Sequence, residues 1–226
     1  MEGTVPVMQV ALVLAVAAAG FFLYLSRRRA KGLREAAAML GFSYAPRGDG
    51  SVERDFGRIP LFQQGTRRTE SNVIRQVMAG STITILDLEW ERNEGDGGSE
   101  TSSQTVACFQ SQDLDLPFFV CRPEGALDRV LGERVHSLLG GYRDIDFEDR
   151  PGFSRKYLLY GKDESAVRAL FAAPGLIDFL LELEGVTLEG NGDGVVVYRE
   201  RRIVPPQDIP AFRDEAHRLF SFIAGR

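Results

Sequence analysis

The most prominent pattern along the chain is an unbroken apolar run near its start. Between Val5 and Leu25 the only clearly polar side chain is Gln9, and Pro6 stands where a helix tolerates proline. As a helix this run measures about 32 Å, which matches a hydrocarbon core of about 30 Å. Unpaired peptide groups are costly in lipid, so the run predicts a transmembrane segment that is helical throughout.

A cleaved signal peptide is the main alternative, because Ala15-Val16-Ala17 and Ala17-Ala18-Ala19 offer small-residue cleavage patterns. Against it, no Lys or Arg precedes the run, and the apolar residues continue through Phe21–Leu25. We therefore expect an uncleaved anchor, with residues 1–26 as the N-terminal tail and transmembrane helix.

Basic residues follow the apolar run and set its expected orientation: Arg27, Arg28, Arg29, Lys31 and Arg34. By the positive-inside rule, the N-terminus lies outside the cell (inner or plasma) membrane and the remainder lies in the cytoplasm. A second set of residues keeps helical spacing and predicts a basic juxtamembrane helix over residues 27–41: Leu33, Ala36, Ala37 and Leu40.

Beyond residue 41, strand-like and helix-like patterns alternate. Extended runs are predicted at Asn72–Met78, Thr82–Trp90, Gln104–Phe109, Pro117–Arg122, Tyr142–Phe147, Arg155–Tyr160, Val186–Glu189 and Val195–Arg199. Amphipathic helices are predicted at Leu127–Leu138, Ala166–Phe171, Leu176–Leu183 and Ile209–Ile223, the second and last with Asp163 and Asp208 as N-caps. Between the strands, Arg92–Ser103 is rich in Gly, Glu and Ser and predicts a long polar loop.

Strands in neighbouring hairpins, with helices between and after them, favour an α+β fold of mainly antiparallel strands with packed amphipathic helices. This domain covers residues 42–226, either as one unit or as two lobes of about 42–140 and 141–226.

Two features of the predicted strands leave alternatives open. Apolar positions change parity between Ile85 and Leu86, which a bulge or burial on both faces would explain. Cys108 and Cys121 would face one another if their two runs form a hairpin. In the cytoplasm they should stay reduced and buried, whereas an exported domain could pair them.

The charge distribution separates the anchor from the domain. Residues 35–226 contain 22 basic and 31 acidic side chains, a net charge of −9. An acidic domain repels phosphate backbones, so no nucleic-acid partner is expected. The expected partners are the lipid bilayer, through residues 5–25, and a protein. Arg67-Arg68 and the arginines of residues 199–202 could touch anionic lipid, although a solvated face is the simpler interpretation.

The densest acidic cluster comprises Asp144, Asp146, Glu148 and Asp149. In a strand, Asp144 and Asp146 share one face, while Ile145 and Phe147 share the other. A hard-cation site or an acid/base pair is one interpretation. The twelve-residue ligand rhythm of a calcium loop is missing, which favours a half-buried strand with a solvated face.

Other candidate chemistry has simple structural explanations. His136 and His217 lack a second metal ligand at helical spacing, and Cys108 lies in an apolar strand rather than a basic pocket. Gly95–Gly98 and Gly190–Gly194 lack the strand–turn–helix context of a phosphate-binding loop and predict turns. The sequence therefore assigns no catalytic, cofactor-binding or metal-binding residue, and no cofactor is expected.

Short phrases within residues 72–171 occur together: Asn72-Val73-Ile74, Gln104-Thr105-Val106-Ala107, Arg122-Pro123-Glu124, Asp144-Ile145-Asp146-Phe147, Phe153-Ser154, Gly161-Lys162-Asp163-Glu164 and Val167-Arg168-Ala169-Leu170-Phe171. They resemble an uncharacterised family of prokaryotic single-pass membrane-anchored proteins. The resemblance implies one membrane helix and a cytoplasmic domain, and brings no activity, ligand or catalytic residue.

The leading hypothesis is a non-enzymatic protein-binding or scaffolding domain at the cytoplasmic membrane surface. One alternative is a hydrolase-like enzyme whose site gathers scattered residues such as Asp144, Asp146 or His136. Another is a small-molecule or lipid-binding domain with an apolar cavity between sheet and helices.

Overall fold

The computed structural model describes residues 7–93, 98–124, 142 and 144–225. Its first element is one unbroken helix, α1, from Val7 to Leu40. By length and composition α1 could cross a membrane, and none of the residues in its most apolar stretch is buried in the protein. The helix ends at Gly41, whose φ of 71° is a conformation that glycine adopts at no steric cost.

Eight strands follow α1 within the described residues: β1 Ser43–Arg47, β2 Thr66–Met78, β3 Ser81–Asn93, β4 Ser99–Ser111, β5 Leu116–Pro123, β6 Tyr157–Gly161, β7 Val186–Gly192 and β8 Gly194–Arg199. The α-helices among them are α2 Ser51–Phe56, α3 Pro151–Lys156, α4 Glu164–Phe171, α5 Leu176–Glu182 and α6 Ile209–Ile223. Short 3₁₀ turns lie at Pro60–Gln63 and Pro206–Asp208.

All eight strands belong to one sheet with the order β1-β2-β3-β4-β8-β7-β5-β6. Every neighbouring pair is antiparallel, which confirms the predicted α+β fold class. Strands from residues 43–123 and from residues 157–199 interleave, so the stretches before and after residue 141 share a sheet.

The sheet is buried on both faces. On one face Ile83 and Ile85 join a core with the C-terminal residues of α1 and with α3 to α6. On the other face Leu86, Leu88 and Trp90 pack with α2 and the Pro60–Gln63 turn. Because β3 pairs with β4 in continuous register, burial on both faces, and not a bulge, explains the change of parity. Register irregularities occur in β2 instead, between residues 66 and 69 and between residues 71 and 74.

The hairpin that would bring the two cysteines together does not form. The β7–β8 hairpin lies between β4 and β5, because β4 pairs with β8 while β5 pairs with β7 and β6. Cys108 faces the second core and Cys121 the first, and both thiols are free and buried. The condition for the two cysteines to face one another is therefore not met, because β5 pairs with two strands from later in the chain.

Several local predictions also need correction. Residues 92–103 are not a long loop, because β3 extends to Asn93 and β4 begins at Ser99, with Glu91 paired to Thr101. The extended segment predicted at 142–147 makes a single bridge, from Asp144 to Tyr160. Residues 151–156 are helical, so the strand predicted at 155–160 begins two residues later, at Tyr157. The helix predicted at 127–138 lies outside the described residues.

Of the two predicted N-caps, one forms a capping hydrogen bond and the other does not. Asp163 caps α4, because its carboxylate accepts a hydrogen bond from the Ala166 amide at 3.0 Å. Asp208 stands at the N-cap position of α6, but its side chain makes no capping hydrogen bond. The 3₁₀ turn at Pro206–Asp208 leads directly into α6, so backbone geometry and not a side-chain cap begins that helix.

Candidate functional site at the base of the apolar helix

A salt bridge joins α1 to the sheet at the point where the exposed apolar part of the helix ends. The Nε and Nη2 atoms of Arg29 each donate to one carboxylate oxygen of Asp87, both at 2.8 Å. Nη1 of Arg29 donates to the carbonyl oxygen of Val204, also at 2.8 Å. The pair is mostly shielded from solvent, with 20% of the Arg29 side chain and 11% of the Asp87 side chain exposed. A bidentate arrangement of this kind fixes direction as well as distance.

Further polar groups hold the Asp87 carboxylate in place. Asn72 Nδ2 donates to it at 2.9 Å and the Thr105 hydroxyl donates at 2.8 Å. The Tyr44 hydroxyl donates in turn to Asn72 Oδ1, and the Val204 amide donates to Thr105 Oγ1, both at 2.9 Å. We call Arg29, Asp87, Asn72 and Thr105 the junction network. Since the buried charges are paired and hydrogen-bonded, the network supports a single arrangement of helix and sheet.

Asn72 reaches this network because of its own backbone conformation within β2. Its φ is 52°, in the left-handed region that asparagine tolerates better than most residues. The residue lies in the irregular stretch between the paired positions Ser71 and Ile74. The irregularity therefore has a structural role, since it directs the amide of Asn72 towards Asp87.

Close packing completes the attachment of α1. Leu33, Ala36 and Ala37 are almost fully buried against the sheet. A Cβ atom on Gly32 would lie 2.8 Å from Cβ of Pro206, so the helix and the Pro206 turn are in direct contact there. The small residues at positions 32, 36 and 37 allow this close approach.

The preceding part of α1 has the opposite character. Its large apolar side chains are exposed, with 72% of Phe22 and 65% of Leu12 accessible. A contiguous apolar surface of this length on a soluble protein is unusual and marks contact with a membrane or another protein. One continuous helix thus combines an exposed apolar half with a half built into the core.

A second polar cluster, buried on the opposite face of the sheet, contains Glu189, Tyr198, Arg122 and Glu200. Glu189 accepts hydrogen bonds from the Tyr198 hydroxyl at 2.6 Å and from the Leu61 amide at 2.9 Å, and Arg122 forms an ion pair with Glu200. Burial raises the pKa of Glu189 and of Glu200, with the Arg122 guanidinium partly opposing it.

Around that cluster, several buried polar atoms have no hydrogen-bond partner among the described residues: Gln64 Oε1, Trp90 Nε1, Ser102 Oγ, Gln104 Nε2, Arg122 Nε and Thr187 Oγ1. Sequence reasoning missed this cluster and the junction network alike. The available signals were Asp87, Arg122 and Glu189, which interrupt otherwise apolar strands at positions where charge is costly.

Within the 144–149 cluster, the Asp144 carboxylate has a structural role. Asp144 and Asp146 are exposed while Ile145 is buried, as the strand pattern predicted. The Asp144 carboxylate accepts from the Leu159 amide at 3.0 Å, and its pKa is raised chiefly by partial burial. Arg168 donates to the backbone oxygen of Asp146 at 2.7 Å. Across the part of the chain that the structure describes, no group of three or more His, Cys, Asp and Glu is arranged to hold a metal ion.

Among the remaining candidates that the structure describes, His217, Cys108 and Cys121 lie on three different elements. His217 is exposed, with its ring 6.2 Å from that of Phe109, which agrees with the expected surface position. His136 lies outside the described residues. Burial raises the pKa of the Cys108 and Cys121 thiols, so neither is poised as a nucleophile.

Comparison with known proteins adds a likeness of fold. No protein-family profile matches the sequence, and no curated protein matches it. The structure is similar to that of the mycobacterial trehalose monomycolate transport factor A, TtfA, with a TM-score of 0.60 and 13% sequence identity. The alignment covers 88% of this chain and 94% of that chain, so the likeness extends over nearly all of both folds.

Proposed function

We propose that this chain is a non-enzymatic, single-pass membrane factor that presents its α+β domain at the cytoplasmic membrane surface to a protein partner engaged in transport. The observation that carries the proposal is the construction of α1. Its exposed apolar half is long and apolar enough to cross a bilayer, and its other half is part of the domain core. A helix built in this way would give the domain a fixed position relative to the membrane.

Rigid attachment suits a positioning role. Where a domain only needs to stay near a membrane, a flexible linker after the anchor is sufficient. Here the helix continues without a break to Leu40 and is fastened to β3 by the junction network. The bases that follow the apolar run support a cytoplasmic position for the domain.

The comparison supports the transport element of the proposal. TtfA is named as a transport factor, and its fold matches this chain over almost the whole length of both. A scaffolding or partner-binding role at a membrane agrees with this likeness and with the absence of a gathered catalytic set among the described residues.

Photo-crosslinking of the full chain in living cells would test the proposal. A crosslinking amino acid placed at Met39 or Val77, which are 74% and 72% exposed, should give discrete products with one membrane protein. Lys162, also exposed, provides a polar reference position. Asp87→Ala should keep the chain in the membrane but weaken the products, because the domain loses its fixed position. Absence of discrete products at every position, or substrate turnover by the purified chain, would refute the proposal.

A further inference from the structure

An open groove of about 490 Å³ lies where the exposed apolar half of α1 meets the domain. One wall is the helix, through Leu25, Arg28, Lys31 and Glu35, and the other wall is formed by Pro206 and Gln207. Arg29 also lines it. The groove therefore lies at the depth expected for lipid headgroups.

The helix presents an ordered sequence of chemistries along this groove. Leu25, Arg28, Gly32 and Glu35 are spaced so that they share one helix face. Along the helix away from its apolar half, this face presents the apolar Leu25, then the basic Arg28. Gly32, which has no side chain, follows, and then the acidic Glu35. This order matches that of a phospholipid, in which acyl chains lead to a phosphate.

Within the groove, the helix and the Pro206 turn are in direct contact at Gly32. A Cβ atom there would lie 2.8 Å from Cβ and 3.1 Å from Cγ of Pro206. The absence of a side chain therefore lets the turn approach the helix this closely. The flanking side chains of Arg28 and Lys31 are both exposed and line the groove.

The cations in the groove differ in availability. Arg29 donates from all three guanidinium nitrogens to Asp87 and Val204. Lys31 makes only a loose pair with Glu35 at 3.9 Å, in which both side chains are largely exposed. Within the described residues Arg28 makes no hydrogen bond or ion pair. Arg28 is thus the principal free anion-binding group, with Lys31 beside it.

We propose that the groove binds the phosphodiester headgroup of one anionic membrane phospholipid, with Arg28 and Lys31 on the phosphate and the acyl chains along Leu25 and Phe22. Glu35 limits the net positive charge of the groove and faces the headgroup from the cytoplasmic side. It therefore selects a singly charged phosphodiester over a polyanionic headgroup. This site rests on the membrane attachment in the proposed function but needs no protein partner.

Electron spin resonance of the full chain in bilayers would test the site, using chain-spin-labelled phosphatidylglycerol and phosphatidylcholine. The unmodified chain should immobilise phosphatidylglycerol preferentially, at about one site per chain. Arg28→Gln should lower that preference about fivefold, the equivalent of about 1 kcal/mol for one basic residue at a membrane surface. Arg27→Gln is the matched control, since it removes the same charge from the adjacent residue outside the groove, and should lower the preference less than about twofold.

Each remaining outcome overturns the site. Equal losses in the two variants would mean diffuse surface attraction. A preference abolished by soluble inorganic phosphate would identify a free phosphate ligand, and a stronger preference for phosphatidylinositol bisphosphate would contradict the role of Glu35. Crosslinking of Arg28→Gln distinguishes the two proposals, because loss of the lipid site should leave the chain anchored and its protein partner detectable.

Discussion

The salt bridge between Arg29 and Asp87 fixes the position of α1 on the sheet. Both charges are removed from water, which is costly, and their pairing is favourable only because Asn72 and Thr105 satisfy the remaining acceptor positions of the carboxylate. Removal of one partner would leave the other as an unpaired, mostly buried charge. The pair therefore determines how α1 is positioned on the sheet. Its effect on the free energy of unfolding is seen chiefly when one partner is removed.

Asp87→Ala should lower the free energy of unfolding by about 3 kcal/mol, because the Arg29 guanidinium loses its carboxylate while it stays buried. Denaturant titration of the full chain in detergent micelles measures this change. A double-mutant cycle with Arg29→Ala should give a coupling energy above about 1 kcal/mol. The exposed Lys31–Glu35 pair is the reference, for which we expect a coupling below about 0.5 kcal/mol. Similar coupling in the two pairs would contradict a structural role for the junction network.

Glu189 predicts a dependence of stability on pH. Burial raises the pKa of Glu189 in the folded protein above the ordinary value of 4.5. At pH values between 4.5 and the raised pKa, the folded protein therefore binds more protons than the unfolded chain. The contribution of Glu189 to stability should therefore be largest below its ordinary pKa and fall as the pH rises through that interval. Glu189→Gln should reduce the fall, measured as the thermal midpoint at pH 5 and pH 8.

The groups facing Glu189 are Tyr198, Arg122 and Glu200. The pKa of Glu200 is raised in the same direction, so some pH dependence should remain in the variant. An unchanged or steeper fall after Glu189→Gln would show that Glu189 is ionised in the folded protein without penalty.

At the scale of elements, α1 belongs to two environments. Its exposed apolar half is suited to lipid, whereas Leu33, Ala36 and Ala37 are core residues as fully buried as those of the strands. The contact between Gly32 and Pro206 lies at the boundary between these halves. Helix and turn are therefore coupled by backbone proximity as well as by the junction network.

Gly32→Ala should destabilise the protein by about 1 kcal/mol net. The new methyl group is forced onto the Pro206 ring, and overpacking outweighs the gain in helix propensity. Gly20→Ala is the control, since a Cβ atom there would have nothing within 4 Å. That variant should be neutral or slightly stabilising. Equal effects of the two changes on the denaturation midpoint would rule out a tight helix–turn contact.

At the scale of the whole molecule, packing of α1 on the single sheet makes the apolar helix and the domain one unit. Strands β5 and β6 lie beyond the β7–β8 hairpin, so early and late parts of the chain must assemble together. Because α1 packs on this sheet, the face it covers is held in a fixed direction relative to the exposed apolar half of the helix.

The orientation of that unit can be measured with Val77→Cys. The new thiol replaces an exposed side chain on β2, while Cys108 and Cys121 are buried and should form an unreactive background. A membrane-impermeant maleimide should leave the variant unlabelled in intact cells and label it almost fully after permeabilisation. Labelling in intact cells would place the domain outside the cytoplasm.

The sequence alone determined those features that depend on local pattern. The apolar run at residues 5–25, the stop at Gly41, the Asp163 cap and the antiparallel α+β class all follow from periodicity, charge and capping chemistry, which act over a few residues. For the same reason the alternation of Asp144, Ile145 and Asp146 was predicted correctly.

Only the tertiary structure decided which strands are neighbours and which charges meet. The pairing of β4 with β8 separates Cys108 from Cys121, and Arg29 reaches Asp87 across 58 positions of sequence. Such contacts result from the collective burial of both sheet faces, which a local pattern does not encode. A charge in an apolar strand indicates that a partner must exist, but its identity depends on the assembled fold.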